Sequence, residues 1–224
     1  MEKITQKDNL RQKTGGVAAL YMAVAYLAAM PYFLIVVDYL GATTAKDKVA
    51  LILANFPSLY AMYLITYVLF GIVLGVLTFA LYDRLQMHAP SLMRIATAIS
   101  LLWAFALTTS GMVFNYGMGT IVEMAKTDLS QAQQAWQVIE PVAMGLGGAG
   151  GELLGGLWVL LISLAALRSG SLPKLLNVLG LVIGLAGLLS VIPPLHDAGM
   201  LFGILQIVWL VWLGVVLLRV KHTN

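Results

Sequence analysis

The chain has 224 residues, of which 60% are hydrophobic and only 10% charged, and it contains no cysteine. A mean hydropathy of +0.90 excludes a soluble globular domain, and the lack of cysteine excludes disulfides, thiolate metal sites and cysteine nucleophiles. The net charge of +3 does not indicate a nucleic-acid partner, because the basic residues flank long apolar runs, where they orient helices in a bilayer.

Six apolar runs follow one another from Gly16 onward. Each is near the length of about 20 residues that a helix needs to cross ~30 Å of hydrocarbon. The runs predict an all-α fold, a single-domain bundle of six transmembrane helices within residues 1–224. The predicted spans are residues 16–38, 58–82, 92–117, 141–167, 174–192 and 198–218. The first run is too long for the apolar segment of a secretory signal peptide.

Lysine and arginine are distributed unequally about these spans. Ten of the 13 basic residues, Arg84 and Arg168 among them, fall on one side, and only Lys46, Lys48 and Lys126 fall on the other. Because cytoplasmic loops carry the excess of basic residues, both termini are predicted to be cytoplasmic. Most of the acidic residues lie on the opposite, outer side.

Two polar segments are predicted on the outer side. Residues 39–57 form a loop that ends in Asn55-Phe56-Pro57, a sequence typical of a helix start. Residues 118–140 form the longest break between spans, and within it Thr127-Asp128 predicts the cap of a polar helix that lies on the membrane surface. Trp136 is then expected to anchor that helix at the membrane interface.

Two predicted cytoplasmic turns share a pattern. Leu81-Tyr82-Asp83-Arg84-Leu85 closes span two, and Ser171-Leu172-Pro173-Lys174-Leu175 joins spans four and five. After each basic helix end a proline opens the next helix, a position that proline favours. In these segments the chain resembles a family of six-span bacterial membrane proteins that is classed as a domain of unknown function. The resemblance implies a location in the bacterial inner membrane, and it supplies neither an activity nor functional residues.

Span four is rich in glycine. Two neighbouring helical rows with four-residue spacing are Gly147, Gly151, Gly155 and Gly148, Glu152, Gly156. The first row is a doubled G-x-x-x-G pattern, which lets membrane helices approach closely, so these five glycines are predicted to be helix-packing positions. The same glycines could instead unwind the helix and expose backbone carbonyls, as in the broken helices of transporters.

Glu152 lies in the second row, about 24 Å from Arg168 on a helix that rises 1.5 Å per residue, and therefore inside the predicted hydrocarbon layer. Because no Lys or Arg lies within a span to pair with it, its carboxyl group is expected to be protonated. One hypothesis makes Glu152 the floor of an outward-facing binding pocket, and the alternative makes it a structural acid that donates one hydrogen bond between helices. Its partners within spans would be Tyr63, Tyr67, Asn115, Tyr116 or Gln206.

Two classes of function remain open. The first is a protein of the lipid bilayer that binds a small molecule or cation, with transport as a further hypothesis. The residues predicted to bind this ligand are Glu152, Asn115, Tyr116, Tyr67 and Tyr63. The second is a non-catalytic accessory or sensor subunit that packs on another membrane protein. A homo-oligomer is compatible with either class. No strong base accompanies Glu152, so the sequence does not favour an enzyme, and it predicts no cofactor. A divalent metal at His196, Asp197 and Glu140 is a weaker hypothesis.

Overall fold

The computed structural model describes residues 6–148 and 151–219. The described chain is all-α, as predicted. Its helices are α1 Gln6–Pro31, α2 Ala45–Tyr63, α3 Phe70–Leu85, α4 Pro90–Ala125, α5 Leu129–Gly147, α6 Leu153–Ser169, α7 Lys174–Leu189 and α8 Ala198–Leu218. A π-helical segment, Leu64–Leu69, joins α2 to α3 in one helix, and a second, Tyr32–Val36, extends α1. The described residues thus form seven helices, while Lys3 and Lys221, two of the ten basic residues of the predicted cytoplasmic side, lie outside the described ranges.

Four helical segments in the described ranges are long and apolar enough to cross a membrane. They are Leu10–Val36, Ala45–Leu85, Pro90–Ala125 and Ala198–Leu218. Two further apolar helices, α6 and α7, have 17 and 16 residues, which corresponds to about 24–26 Å at 1.5 Å per residue. These lengths fit a multi-pass membrane protein, whereas the count of six spans and the orientation of the termini stay predictions.

The chain divides into two compact units. Among the described residues, unit 1 takes in residues 6–24, 72–104 and 151–219, and unit 2 takes in residues 25–71 and 105–148. The helices α1, α3 and α4 each contribute residues to both units.

Unit 1 is packed through the glycines of α6 and α7. A Cβ atom added at Gly156 would lie 2.9 Å from the carbonyl oxygen of Gly184 and 3.0 Å from backbone carbons of Gly187. Because these backbones leave no space for a side chain, glycine is required where α6 meets α7. The turn that joins the two helices passes through Gly170, whose φ is +63°, a left-handed conformation that glycine adopts without strain.

Both proline-containing turns form as predicted. Pro90 is the first residue of α4, and Pro173 immediately precedes the first residue of α7. Arg84, at the end of α3, donates a 2.7 Å hydrogen bond to the backbone oxygen of Ser171, which lies in the second turn. Its guanidinium also bonds to Gln12 of α1. The arginine thereby joins three segments of unit 1.

The helix start predicted at Asn55-Phe56-Pro57 is confirmed in part, because a helical stretch begins after Asn55, but residues 45–54, predicted as a loop, are helical too. Helix α2 begins ten residues earlier at Ala45, where Thr44 and Asp47 form a reciprocal capping box. Asn55 has a non-helical backbone (φ −127°, ψ 18°), and it forms a kink between the two helical parts of α2. Since Pro57 has no N–H for the i→i−4 bond and its ring crowds the preceding turn, it accounts for the kink without ending the helix.

The polar helix predicted after residue 127 is present, but Trp136 does not anchor it at a membrane interface. Asp128 caps α5, and its carboxylate accepts a 3.0 Å hydrogen bond from the backbone N–H of Gln131. Trp136 is completely buried, and its ring centroid lies 6.2 Å from that of Phe114. The face of α5 that carries Trp136 is therefore a core face of unit 2.

The helix predicted over residues 141–167 is interrupted. Helix α5 ends at Gly147 and α6 begins at Leu153, and between them Gly148 and Gly151 have φ values of +99° and +119°. Left-handed glycines of this kind end helices because they take the chain out of the right-handed conformation. The two glycine rows consequently do not run along one helix, and the alternative expectation, that the glycines unwind the span, is confirmed.

The glycines on the two sides of this break pack separately. A Cβ atom on Gly147 would lie 2.7 Å from both the Ser110 hydroxyl and the Tyr67 ring, within unit 2. In unit 1, a Cβ atom on Gly155 would meet the rings of Phe202 and Trp103 at 2.8 and 2.9 Å. Each glycine is a close-packing position, but its neighbours lie within its own unit.

Candidate functional site

The core of unit 2 is an aromatic cluster that contains two of the predicted binding residues. Tyr63 is stacked on Phe114, with ring centroids 4.1 Å apart and an interplanar angle of 18°. Tyr67 is tilted against Tyr63 at 5.5 Å and lies edge-on to Phe114 at 6.1 Å. Because Tyr63 is almost completely buried, its ring contributes packing energy to this core.

A buried ion pair adjoins the aromatic cluster. Oε1 of Glu140 accepts hydrogen bonds from the Lys48 ammonium group at 2.5 Å and from the Tyr39 hydroxyl at 2.8 Å. The Lys48 nitrogen also lies 5.2 Å from the centroid of the Tyr39 ring, within the range of a cation–π interaction. The exposed fractions of the Lys48 and Glu140 side chains are 20% and 9%.

The pKa of Tyr39 is raised above its ordinary value, mainly by burial and to a smaller extent by the Glu140 carboxylate. Its hydroxyl therefore remains protonated and donates the hydrogen bond.

This pairing was not predicted from the sequence. Lys48 falls in a predicted outer loop and Glu140 was a candidate metal ligand. The two residues are 92 positions apart in the sequence and meet only in the fold. The opposite signs of charge on one predicted side of the membrane were the available signal. They did not specify a partner, because that side carries several acidic residues.

A groove on the surface of unit 2 contains the other two predicted binding residues of that unit. It has a volume of about 520 Å³ and is bordered by aromatic rings, methionines and a few polar groups from α2 and α4. Its lining residues are Phe56, Tyr60, Met112, Asn115, Tyr116, Gly119, Thr120, Glu123 and Met124. We call it the Asn115 groove.

Asn115 is the unusual residue of this groove. Its side chain is 3% exposed, and within the described parts of the chain neither its amide nitrogen nor its amide oxygen has a hydrogen-bond partner. Tyr116, the next residue, is 83% exposed. A buried donor or acceptor left unpaired costs about 1–3 kcal/mol, so the amide is a group that a ligand carrying complementary atoms would stabilise.

Glu152 belongs to unit 1 and not to the unit that holds the other four predicted binding residues. It immediately precedes α6, is half-buried, and its backbone N–H donates a 2.9 Å hydrogen bond to the Ser190 hydroxyl. No hydrogen bond or ion pair of its carboxyl group is found to another described residue. The five-residue pocket around Glu152 accordingly stays a prediction, and Asn115 and Tyr116 are the two members that line one groove.

The weaker metal hypothesis gains no support from the structure. In the ranges that the structure describes, no three His, Cys, Asp or Glu side chains are grouped as they would be around a metal ion. His196 lies in the turn before α8, where its Nδ1 is 3.1 Å from the backbone oxygen of Ser190, and Asp197 follows it. Glu140 is instead bonded to Lys48 and Tyr39.

Comparisons of this chain with protein-family models, with curated proteins and with solved structures find no match. The resemblance to six-span bacterial proteins of unknown function therefore stays a prediction.

Proposed function

We propose that this protein is an integral membrane protein that binds a small amphipathic molecule in the Asn115 groove. The observation that carries the proposal is the buried Asn115 amide, whose two polar atoms have no partner among the described residues although the residue borders a groove of about 520 Å³. Ligand sites are commonly apolar clefts in which a few polar groups fix orientation, and this groove has that composition.

The lining indicates the chemical class of the ligand. Phe56, Tyr60 and Tyr116 supply aromatic surface for an apolar body, whereas the Asn115 amide can both donate and accept a hydrogen bond. At the rim, the exposed carboxylate of Glu123 is paired with the exposed ammonium group of Lys126 at 2.7 Å, so this pair adds no net charge to the groove. We therefore infer a neutral ligand whose hydroxyl, amide or carbonyl group reaches Asn115.

The depth of the groove is consistent with such a ligand. Asn115 lies ten residues before Ala125, the last residue of α4, which corresponds to about 15 Å along the helix. If this end of α4 is at the outer membrane surface, as the charge distribution predicts, the groove extends from that surface toward the bilayer centre. An amphipathic molecule would enter it from the outer leaflet.

We expect the substitution Asn115→Leu to abolish retention of the ligand. Leucine has a similar size but provides neither donor nor acceptor, so the polar group of the ligand would be desolvated without compensation. Native mass spectrometry of gently extracted protein should show a bound non-protein mass on the unsubstituted chain and its loss, by tenfold or more in occupancy, in Asn115→Leu. The control Met112→Leu changes an apolar lining residue at nearly constant volume and should retain the mass.

Three results of that experiment would overturn the proposal. If Asn115→Leu retained the bound mass as well as the unsubstituted chain does, the Asn115 amide would not be part of the binding site. A mass lost from Glu152→Gln but retained by Asn115→Leu would place the ligand at Glu152 instead. A second protein retained equally by all variants, with no small ligand, would favour the alternative function of an accessory or sensor subunit.

We further propose six spans with both termini in the cytoplasm of a bacterial inner membrane. The support is that more basic residues, Arg84, Arg94 and Arg168 among them, lie on this side of the predicted spans than on the opposite side.

Since the chain has no cysteine, single cysteines can be introduced without a background signal. An impermeant thiol reagent applied to intact cells should label Lys126→Cys and leave Arg94→Cys unlabelled until the membrane is opened. Labelling of Arg94→Cys alone would mean the reverse orientation, and labelling of both would contradict the predicted spans.

A further inference from the structure

Unit 1 contains a second, separate group of polar side chains inside apolar helices. Trp158 and Ser163 of α6 and Gln206 and Trp209 of α8 are between 0% and 1% exposed. Gln206 is the ninth residue of α8, a candidate membrane span of 21 residues, so it lies well inside that helix. We call these four residues the Gln206 cluster.

Contacts link three members of this cluster, and the fourth, Gln206, lies one helical turn before Trp209. The rings of Trp158 and Trp209 are edge-to-face, with centroids 5.9 Å apart. Gln206 and Trp209 are three residues apart on α8 and therefore share a helix face. Gly180 of α7 is adjacent to both helices, because a Cβ atom there would meet the Ser163 hydroxyl and would lie 2.9 Å from Nε1 of Trp209.

Five polar atoms of the cluster have no hydrogen-bond partner in the described part of the chain. They are Nε1 of Trp158, Oγ of Ser163, Nε2 and Oε1 of Gln206, and Nε1 of Trp209. Three other buried hydroxyls of the same unit are paired, since Thr78 bonds to Ser100 and Ser190 donates to the backbone oxygen of Gly187, whereas the Thr97 hydroxyl also lacks a partner among the described residues. Unpaired buried polar groups are uncommon in native proteins, so five of them on four residues of α6 and α8 indicate a ligand.

The chemistry of these atoms restricts what can bind. Two indole N–H groups donate only, whereas the hydroxyl and the amide both donate and accept, and no member of the cluster carries a formal charge. An ion is therefore disfavoured, and the ligand must offer acceptors as well as donors. A Cβ atom on Gly180 would already collide with the Ser163 hydroxyl and lie 2.9 Å from Nε1 of Trp209, so this crowding favours the smallest such molecule.

We infer that the Gln206 cluster is an internal water-binding site between α6, α7 and α8. Buried waters typically make about three hydrogen bonds to polar groups that have no other partner, and each water both donates and accepts. Five atoms would engage about two waters. This site is independent of the ligand proposed for the Asn115 groove, since every residue of it belongs to unit 1.

Indole ¹⁵N–¹H spectroscopy of the full-length protein in detergent micelles tests the inference. In protein labelled with ¹⁵N-tryptophan, with signals assigned by single Trp→Phe variants, the indole protons of Trp158 and Trp209 should show cross-peaks to long-lived water. Gln206→Leu should remove or strongly reduce both cross-peaks, because it deletes two of the five groups that hold the water. The control Val208→Leu, on an exposed position of the same helix, should leave them unchanged.

The thermal midpoint of Gln206→Leu gives a second, independent readout. If the amide is hydrated, replacing it strands the remaining polar groups and lowers the midpoint. A dry cluster would give the opposite sign, because leucine would then remove two unsatisfied atoms and raise the midpoint. Absent water cross-peaks together with a raised midpoint would overturn the inference, and so would cross-peaks from the indoles to protons of a non-water molecule.

Discussion

The variant Lys48→Met is expected to lose about 3–5 kcal/mol of unfolding free energy, the range that follows when one partner of a buried ion pair is removed. Methionine replaces the aliphatic stem of the lysine but leaves the Glu140 carboxylate, 9% exposed, without its cation. The Tyr39 hydroxyl then remains as the other hydrogen-bond donor to Oε1 of Glu140. A single neutral donor does not compensate a buried charge.

Chemical or thermal unfolding in one detergent, followed by tryptophan emission, measures this loss. The control Lys46→Met removes a charge from an exposed position two residues away and should change the free energy by less than about 0.5 kcal/mol. The double variant Lys48→Met/Glu140→Gln should recover much of the loss, because it removes both charges and retains an oxygen that accepts from Tyr39. If the double variant were as unstable as the sum of its single changes, the ion pair would not be the cause.

The variant Gly156→Leu is expected to prevent stable packing of α6 on α7. A single added carbon at this position would already lie 2.9 Å from the carbonyl oxygen of Gly184 and 3.0 Å from backbone carbons of Gly187. These neighbours are backbone atoms, so the collision cannot be relieved by a change of rotamer. Since extra methylenes in a packed core typically cost about 1–3 kcal/mol, we expect a loss at or above the top of that range.

Gly203→Leu is the matched control for this prediction. It makes the same change inside an apolar helix, but a Cβ atom at Gly203 meets nothing within 4 Å. Leucine also has the higher helix propensity, so the control should be neutral or stabilising in the same unfolding measurement. Equal stability of Gly156→Leu and Gly203→Leu would contradict the close approach of α6 and α7.

The first of these two predictions concerns the stability of unit 2, and the second concerns the stability of unit 1. Lys48 and Glu140 belong to unit 2, whereas Gly156 belongs to unit 1. Neither residue set includes the Asn115 groove or the Gln206 cluster. Loss of ligand in Asn115→Leu and loss of water cross-peaks in Gln206→Leu can therefore be distinguished from a general loss of folding by comparison with these variants.

Local features of the chain were predictable from the sequence because their causes are local. Continuous apolar runs predict helices, since a chain in hydrocarbon must satisfy its backbone hydrogen bonds internally. The cap at Asp128 and the prolines at positions 90 and 173 mark helix starts through interactions within one turn. The glycines near residue 150 indicated two outcomes, close packing or unwinding, and only the backbone conformation distinguished them.

The faces that become buried could not be read from the sequence. In a soluble helix the apolar stripe marks the core, but in a membrane helix the lipid-facing side is as apolar as the packed side. Trp136 illustrates this ambiguity, because the same residue type is typical of a membrane interface and of a core. The structure places it in the core of unit 2, fully buried.

The sequence by itself thus determined the class of the molecule, an apolar all-α chain whose long helices fit a membrane, because hydropathy and helix signals act over a few residues. Only the tertiary structure paired Lys48 with Glu140 across 92 positions and brought Asn115 and Tyr60 to one groove. It also assigned Glu152 to a different unit from Tyr63 and Tyr67. Such contacts depend on how helices pack, and packing between distant segments leaves no periodic trace in an almost uniformly apolar sequence.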